Sequence, residues 1–122
     1  MNGHSNTKIE GKSIFWPDSS IKKLEAGYEE FIIEIHDDMG GKKFLHCIGY
    51  VGFQMIGFWD EVIVEKAMLH VSHQFIDDCE QRLKQLPQSG STARITTGNR
   101  MLEILFIDGC KLWICASQFR CE

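Results

Sequence analysis

The chain contains no run of about 18 uninterrupted apolar residues, so no segment reads as a membrane-spanning helix. Its start, Met1-Asn2-Gly3-His4-Ser5-Asn6-Thr7-Lys8, lacks the charged-then-apolar order of a secretory signal, and a cytoplasmic protein is the expectation. Basic residues are in deficit. Thirteen Lys and Arg face 17 Asp and Glu, a net charge of -4, which disfavours a protein built to grip phosphate backbones. Basic residues interleaved with aromatics, as single-stranded nucleic-acid binding needs, do not occur. Nor does an internal repeat at periods of about 20 to 50 residues.

Reactive constellations are also missing. A structural zinc site takes four ligands, commonly as two close pairs. The nearest cysteines, Cys110 and Cys115, are spaced to fall on opposite faces of a strand pleat, so no metal site is expected. No glycine-rich phosphate loop precedes a helix: Gly40-Gly41 sits in a hairpin signal, and Gly49, Gly52 and Gly57 fall in aromatic strand sequence. A nucleophile elbow of Gly, Ser and Gly is absent. No cofactor is expected, and an enzyme is not the first reading. The five cysteines, Cys47, Cys79, Cys110, Cys115 and Cys121, read as reduced and mostly buried small hydrophobes.

The composition is that of a globular domain: 122 residues, 43% hydrophobic and 25% charged. A chain this long buries about two thirds of its unfolded surface in a single core, so one domain over residues 1–122 is expected. Residues 1–7 form a polar arm. Residues 87–99, containing Pro87-Gln88-Ser89-Gly90-Ser91-Thr92-Ala93, cannot continue a helix and read as a mobile loop.

Ile9 to Phe15 reads as a short edge strand, and Trp16-Pro17-Asp18-Ser19-Ser20 as a turn and cap before a short helix over Ile21 to Ala26. Tyr28 to His36 is a strand with Phe31, Ile33 and Ile35 on one face. Asp37 to Gly41 turns it back, a turn centred near Met39 and Gly40 that sets His46 opposite Ile33 and His36 opposite Lys43. In that register no two-histidine metal clip forms. Lys42 to Phe58 is one long bent strand or two in tandem, its glycines marking a bulge or reversal. Glu61 to Val71 begins as strand. Ser72 is placed to cap a helix running to about Leu86, whose Phe75, Ile76, Cys79, Leu83 and Leu86 share a face. Asp108-Gly109 marks a two-residue turn between Met101–Ile107 and Cys110–Ala116 that pairs Leu105 with Leu112 and Ile104 with Trp113. Both faces of this hairpin are apolar, so it should sit inside the sheet or be covered on two sides. These elements predict an α+β domain: a curved antiparallel sheet of five or six strands packed on one main helix over about 72–86.

Three sets of residues could carry function. Glu25, Glu29, Glu30, Glu34, Asp37 and Asp38 form an acidic run with no base among them, and Tyr50, Phe53, Phe58 and Trp59 cluster just before Asp60 and Glu61. Together Glu29, Glu30, Glu34, Asp37, Asp38, Tyr50, Trp59 and Asp60 compose a partner-binding patch, since Tyr and Trp beside acids supply anchors and charge for protein recognition. A small protein-binding domain follows from it, in concrete form an immunity-type inhibitor or antitoxin occluding a basic toxin. The plain alternative is a solvated strand edge protected from aggregation by its charge. As a second function class, Phe53, Trp59, Phe75 and Trp113 could line a pocket between sheet and helix for a small apolar ligand. As a third, His73 and Asp77 stand four apart on a helix beside His70 and Ser72 and could serve as an acid–base pair. A surface ion pair at the helix start is the plainer reading, since a pair with no third partner specifies no reaction. A homodimer through the final hairpin is a further option.

Overall fold

The structure, a computed structural model, describes residues 9–57, 62–85 and 97–122. The predicted arm 1–7, Leu86 and most of the 87–99 loop lie outside these residues. Period-two alternation is clearest in β3 (Glu30–His36), where Phe31, Ile33 and Ile35 are buried and Glu30, Ile32, Glu34 and His36 face outward half-exposed. β3 turns into β4 (Lys42–Ile48) through Asp37, whose Oδ1 accepts the backbone N–H groups of Met39 at 2.9 Å and Gly41 at 2.7 Å. Asp37 N–H also donates to the Gly41 carbonyl, and Gly40 takes φ 88°. This is a three-residue loop with its last residue left-handed, and it sets Ile32 opposite His46 and His36 opposite Lys42. The predicted register is one residue away because it assumed a two-residue turn.

The final hairpin repeats the same device. β7 (Arg100–Phe106) and β8 (Lys111–Ala116) meet where Phe106 N–H donates to Cys110 O at 3.0 Å and Gly109 takes φ 93°. The pairs are therefore Ile104 with Leu112 and Glu103 with Trp113, in place of Leu105 with Leu112 and Ile104 with Trp113.

Within the expected Lys42–Phe58 strand, whose Phe58 lies outside the described residues, the chain forms two strands in tandem, β4 and β5 (Gly52–Ile56), parted at Gly49, which takes φ 65°. β8 likewise runs on into β9 (Gln118–Cys121), parted at Ser117. β4 pairs antiparallel with β9, and β5 with β8. Two long bent strands thus pass from one sheet to the other side by side. The Ser117 hydroxyl donates to Ile48 O at 3.1 Å at the bend.

With β1 (Glu10–Gly11), β2 (Ser20–Ala26) and β6 (Val64–His70), the first sheet has the order β1-β9-β4-β3-β2 and the second β5-β8-β7-β6. The free edges meet: Ile21 N–H donates to Val62 O at 3.0 Å and Val64 N–H to Ser19 O at 2.7 Å. Counting each bent pair as one strand leaves six antiparallel strands in a curved wrap, the expected α+β architecture. β1 adds a short parallel pairing with β9.

One element is of a different type from that expected. Ile21 to Ala26 is strand β2, not helix. Its register shifts between Ile21 and Lys23, and such a bulge adds one residue, so Ile21 and Leu24 reach the same core at a spacing of three that mimics a helix turn.

The main core lies between the sheets, where Ile33, Leu45, Leu102, Ile104, Leu112 and Ile114 are each at most 1% exposed. Burial of such a side chain is worth about 1.5 to 3 kcal/mol. α1 (Gln74–Gln85) covers the other side of the second sheet, with Ile76 against Met101 and Cys115. The β7·β8 hairpin is therefore covered on both faces. No helix among the described residues is long and apolar enough to cross a membrane.

Candidate functional site

α1 covers the second sheet and leaves the outer face of the first sheet uncovered among the described residues. Alternation and register put Lys23 and Glu25 of β2, Glu30, Ile32 and Glu34 of β3, and Phe44 and His46 of β4 on that face. They form a groove of about 290 Å³ lined by Lys23, Glu25, Ile32, Glu34, Phe44, His46 and Glu122. Ile32 and Phe44 supply its apolar floor. Phe44 is 36% exposed.

The carboxylates are held by histidines. His46 Nδ1 lies 2.6 Å from Glu30 Oε1, and its Nε2 lies 3.4 Å from Glu122 Oε1. Glu34 Oε2 is 2.7 Å from His36 Nε2, and that hydrogen bond draws the Glu34 carboxyl below its ordinary pKa. Lys23 Nζ stands 3.9 Å from Glu25, a solvated pair of small energetic weight. Negative charge at an apolar trough, open to solvent, can accept the stem and the charged head of Lys or Arg together.

Of the predicted partner-binding patch, Glu30 and Glu34 reach this face. Glu29 is exposed in the β2–β3 turn, and Asp38 is exposed at the tip of the β3–β4 hairpin. Asp37 is spent on its own turn, where the Gly41 N–H lowers its carboxyl pKa. Tyr50 does not join them: its ring packs edge-on to Phe31 at 5.6 Å on the core side, and its hydroxyl donates to Gly27 O at 2.7 Å. Trp59 and Asp60 lie outside the described residues. Ile32, Phe44, His46 and Glu122 are not singled out from sequence as residues of this face; His46 is weighed there only for a metal clip. Period-two alternation opposite Phe31 and Leu45 would have found the first three; the approach of Glu122 depends on the β4·β9 pairing, which no local signal announces.

Of the predicted apolar pocket, Trp59 lies outside the described residues, and Phe53, Phe75 and Trp113 do not gather on one side of the second sheet. Phe53 pairs with Ile114 and faces the core side, its ring 4.6 Å from Phe31, whereas Trp113 pairs with Gln54 and faces α1. Phe75 lies on the Trp113 side, ring to ring at 5.4 Å. A different recess of about 310 Å³ opens at the N-terminal segment, lined by Ile9, Lys12, Ser13, Ile14, Trp16, Ala67, Met68, Leu69 and Leu102.

The histidine group is also arranged differently. His73, not Ser72, caps α1: its Nδ1 accepts the Phe75 N–H at 3.0 Å, and its carbonyl accepts the Asp77 N–H at 3.2 Å. The His73 ring packs edge-on to Trp113 at 4.9 Å, with His70 at 5.5 Å. His70 Nε2 donates to Glu103 Oε1, and Trp113 Nε1 to Glu103 Oε2, both at 2.9 Å. Both oxygens of this buried carboxylate are thus engaged in joining β6, β7 and β8. Among the described residues no group of three or more His, Cys, Asp and Glu side chains is arranged to hold a metal ion. No protein-family model, curated protein or solved structure matches this chain.

Proposed function

We propose that the chain is a protein-binding domain that takes a basic partner onto the outer face of its first sheet. The specific form is an immunity-type inhibitor or antitoxin that occludes a basic toxin. One observation carries this reading: Glu25, Glu34 and Glu122 line a groove floored by Ile32 and Phe44, with Glu30 beside it against His46, on a sheet face left open by α1. A net charge of -4 would steer a cationic partner toward it.

The test is differential capture from cell extract with the immobilised wild-type chain and the E25Q/E30Q/E34Q/E122Q variant in parallel. The expected result is a basic protein held by the wild type and released by the variant, whose binding protects residues 30–36 and 42–48 from hydrogen exchange. Equal retention by both chains, or protection confined to other strands, would overturn the reading. The inhibitor form requires in addition that wild-type chain, and not the variant, relieves the growth arrest caused by expressing the captured partner.

A second reading rests on the recess at Ile9, Ile14 and Trp16: a small apolar ligand held against Ala67, Leu69 and Leu102. Screening small apolar molecules by thermal shift tests it, and a ligand must raise the melting temperature of the wild type more than that of L69S.

A further inference from the structure

α1 rests on the second sheet at a point where no side chain stands beneath it. Gly52 pairs with Cys115 across β5 and β8. A Cβ at Gly52 would lie 2.5 Å from the Sγ of Cys79, on α1. The missing side chain lets the Cys79 sulfur sink to the sheet surface, where Cys79 packs in one cluster with Cys115. Both thiols are free; Cys79 is half-buried and Cys115 fully buried.

We propose that Cys79 and Cys115 form a two-thiol modification site, which a low-mass disulfide such as oxidised glutathione converts into a disulfide tying α1 to β8. The two positions divide the roles. The contact between the thiols lowers the Cys79 pKa and raises that of Cys115. Cys79 is also the more accessible of the two, so it is the attacking sulfur.

Cys79 loses its proton to solvent, and its thiolate attacks one sulfur of glutathione disulfide, forming a mixed disulfide and expelling one glutathione thiolate. That thiolate takes the proton of Cys115. The Cys115 sulfur then attacks Cys79 Sγ and expels the second glutathione, which is protonated from solvent. The two protein thiols lose two electrons, the glutathione disulfide gains them, and two glutathione thiols leave. Cys47 and Cys121 are buried between the sheets and are shielded from the same reagent.

The full-length chain is incubated with oxidised glutathione under native conditions, its remaining thiols are blocked, and the digest is read by mass spectrometry. A peptide cross-linked through Cys79 and Cys115 is expected, removed by dithiothreitol. C115S should trap one glutathione on Cys79, and C79S should show neither cross-link nor adduct at Cys115. The oxidised wild type should melt at a higher temperature than the reduced protein, because the bridge restricts the unfolded chain. A glutathione adduct at Cys110 with Cys79 untouched, or a cross-link that forms only in urea, would overturn the proposal. The wild-type protein decides both points by itself, so a variant that fails to fold does not rescue it.

Discussion

Glu103 and Trp113 stand directly opposite each other in the β7·β8 hairpin, and the indole Nε1 donates to the carboxylate at 2.9 Å. The second carboxylate oxygen accepts from His70 at the same distance. A carboxylate with only 12% of its side chain exposed is tolerated in this sheet because both oxygens have partners. The pairing follows from the left-handed Gly109. A two-residue turn would place Ile104 opposite the indole instead.

Replacing Glu103 by Ala strands two donors, and a loss of about 2 to 4 kcal/mol is expected in urea denaturation. Glu103→Gln keeps an acceptor for one of them and should cost about half as much. Equal losses in the two variants would show that packing, and not hydrogen bonding, is what Glu103 supplies.

The pH dependence of the same residue has a definite sign. Burial works to raise the Glu103 pKa, but the hydrogen bonds from Trp113 and His70 outweigh it and hold the carboxyl below its ordinary 4.5. The folded value is therefore depressed relative to the unfolded one. The ionised carboxylate contributes fully above the unfolded value and loses its contribution as the pH falls through the folded one. The stability margin of wild type over E103Q should shrink below pH 4.5; a margin unchanged in acid contradicts this assignment.

At the bend shared by the two long strands, Gly49→Ala must place a side chain at φ 65° and within 2.8 Å of the Ser117 hydroxyl. About 1 to 2 kcal/mol of destabilisation is expected from the backbone alone, with more from the contact. Ser117→Ala loses the bond to Ile48 O, about 1 kcal/mol. The double variant should lose less than the sum, since alanine at 117 removes the hydroxyl that a new Cβ meets. Strict additivity by thermal melts would count against the close approach.

Gly52→Ala drives a methyl against the Cys79 sulfur and should cost about 1 to 3 kcal/mol by overpacking. Adding Cys79→Ala removes the sulfur and leaves the Cys79 Cβ at an ordinary 3.7 Å. The second substitution should therefore recover part of the loss, whereas in the wild-type background it should only destabilise. Chemical denaturation of the four chains measures the coupling.

The helix start separates two neighbours. His73→Ala removes the side-chain acceptor from the Phe75 N–H and should cost about 1 kcal/mol, while Ser72→Ala should stay within about 0.5 kcal/mol. His73→Asn, which restores an acceptor, should recover most of the loss. Reversed sensitivities in thermal unfolding would return the cap to Ser72.

Much of the fold was legible because the residues that encode it are neighbours in the chain. Phe31, Ile33 and Ile35 alternate in β3, Ile76 and Leu83 mark the buried face of α1, and the doubly apolar β7·β8 hairpin is covered on both sides. β2 was misread because a bulge gives Ile21 and Leu24 a helical spacing. Both hairpin registers slipped by one because Gly40 and Gly109 each end a three-residue loop, and glycine in a turn is compatible with either loop length. The acidic run was visible, but only the β4 and β9 pairings bring His46 and Glu122 to it.

The sequence by itself determined which residues alternate, where the chain turns, and that one amphipathic helix follows a series of strands, since side-chain periodicity and backbone preference act within a few residues. Only the tertiary structure decided that Gly49 and Ser117 bend two strands together into a second sheet, that β1 joins β9 across nearly the whole chain, and that Glu103 meets Trp113. Those outcomes depend on which of several compatible edges and registers buries the most apolar surface with every polar group paired. That competition is settled among residues far apart in the chain and leaves no local mark on any of them.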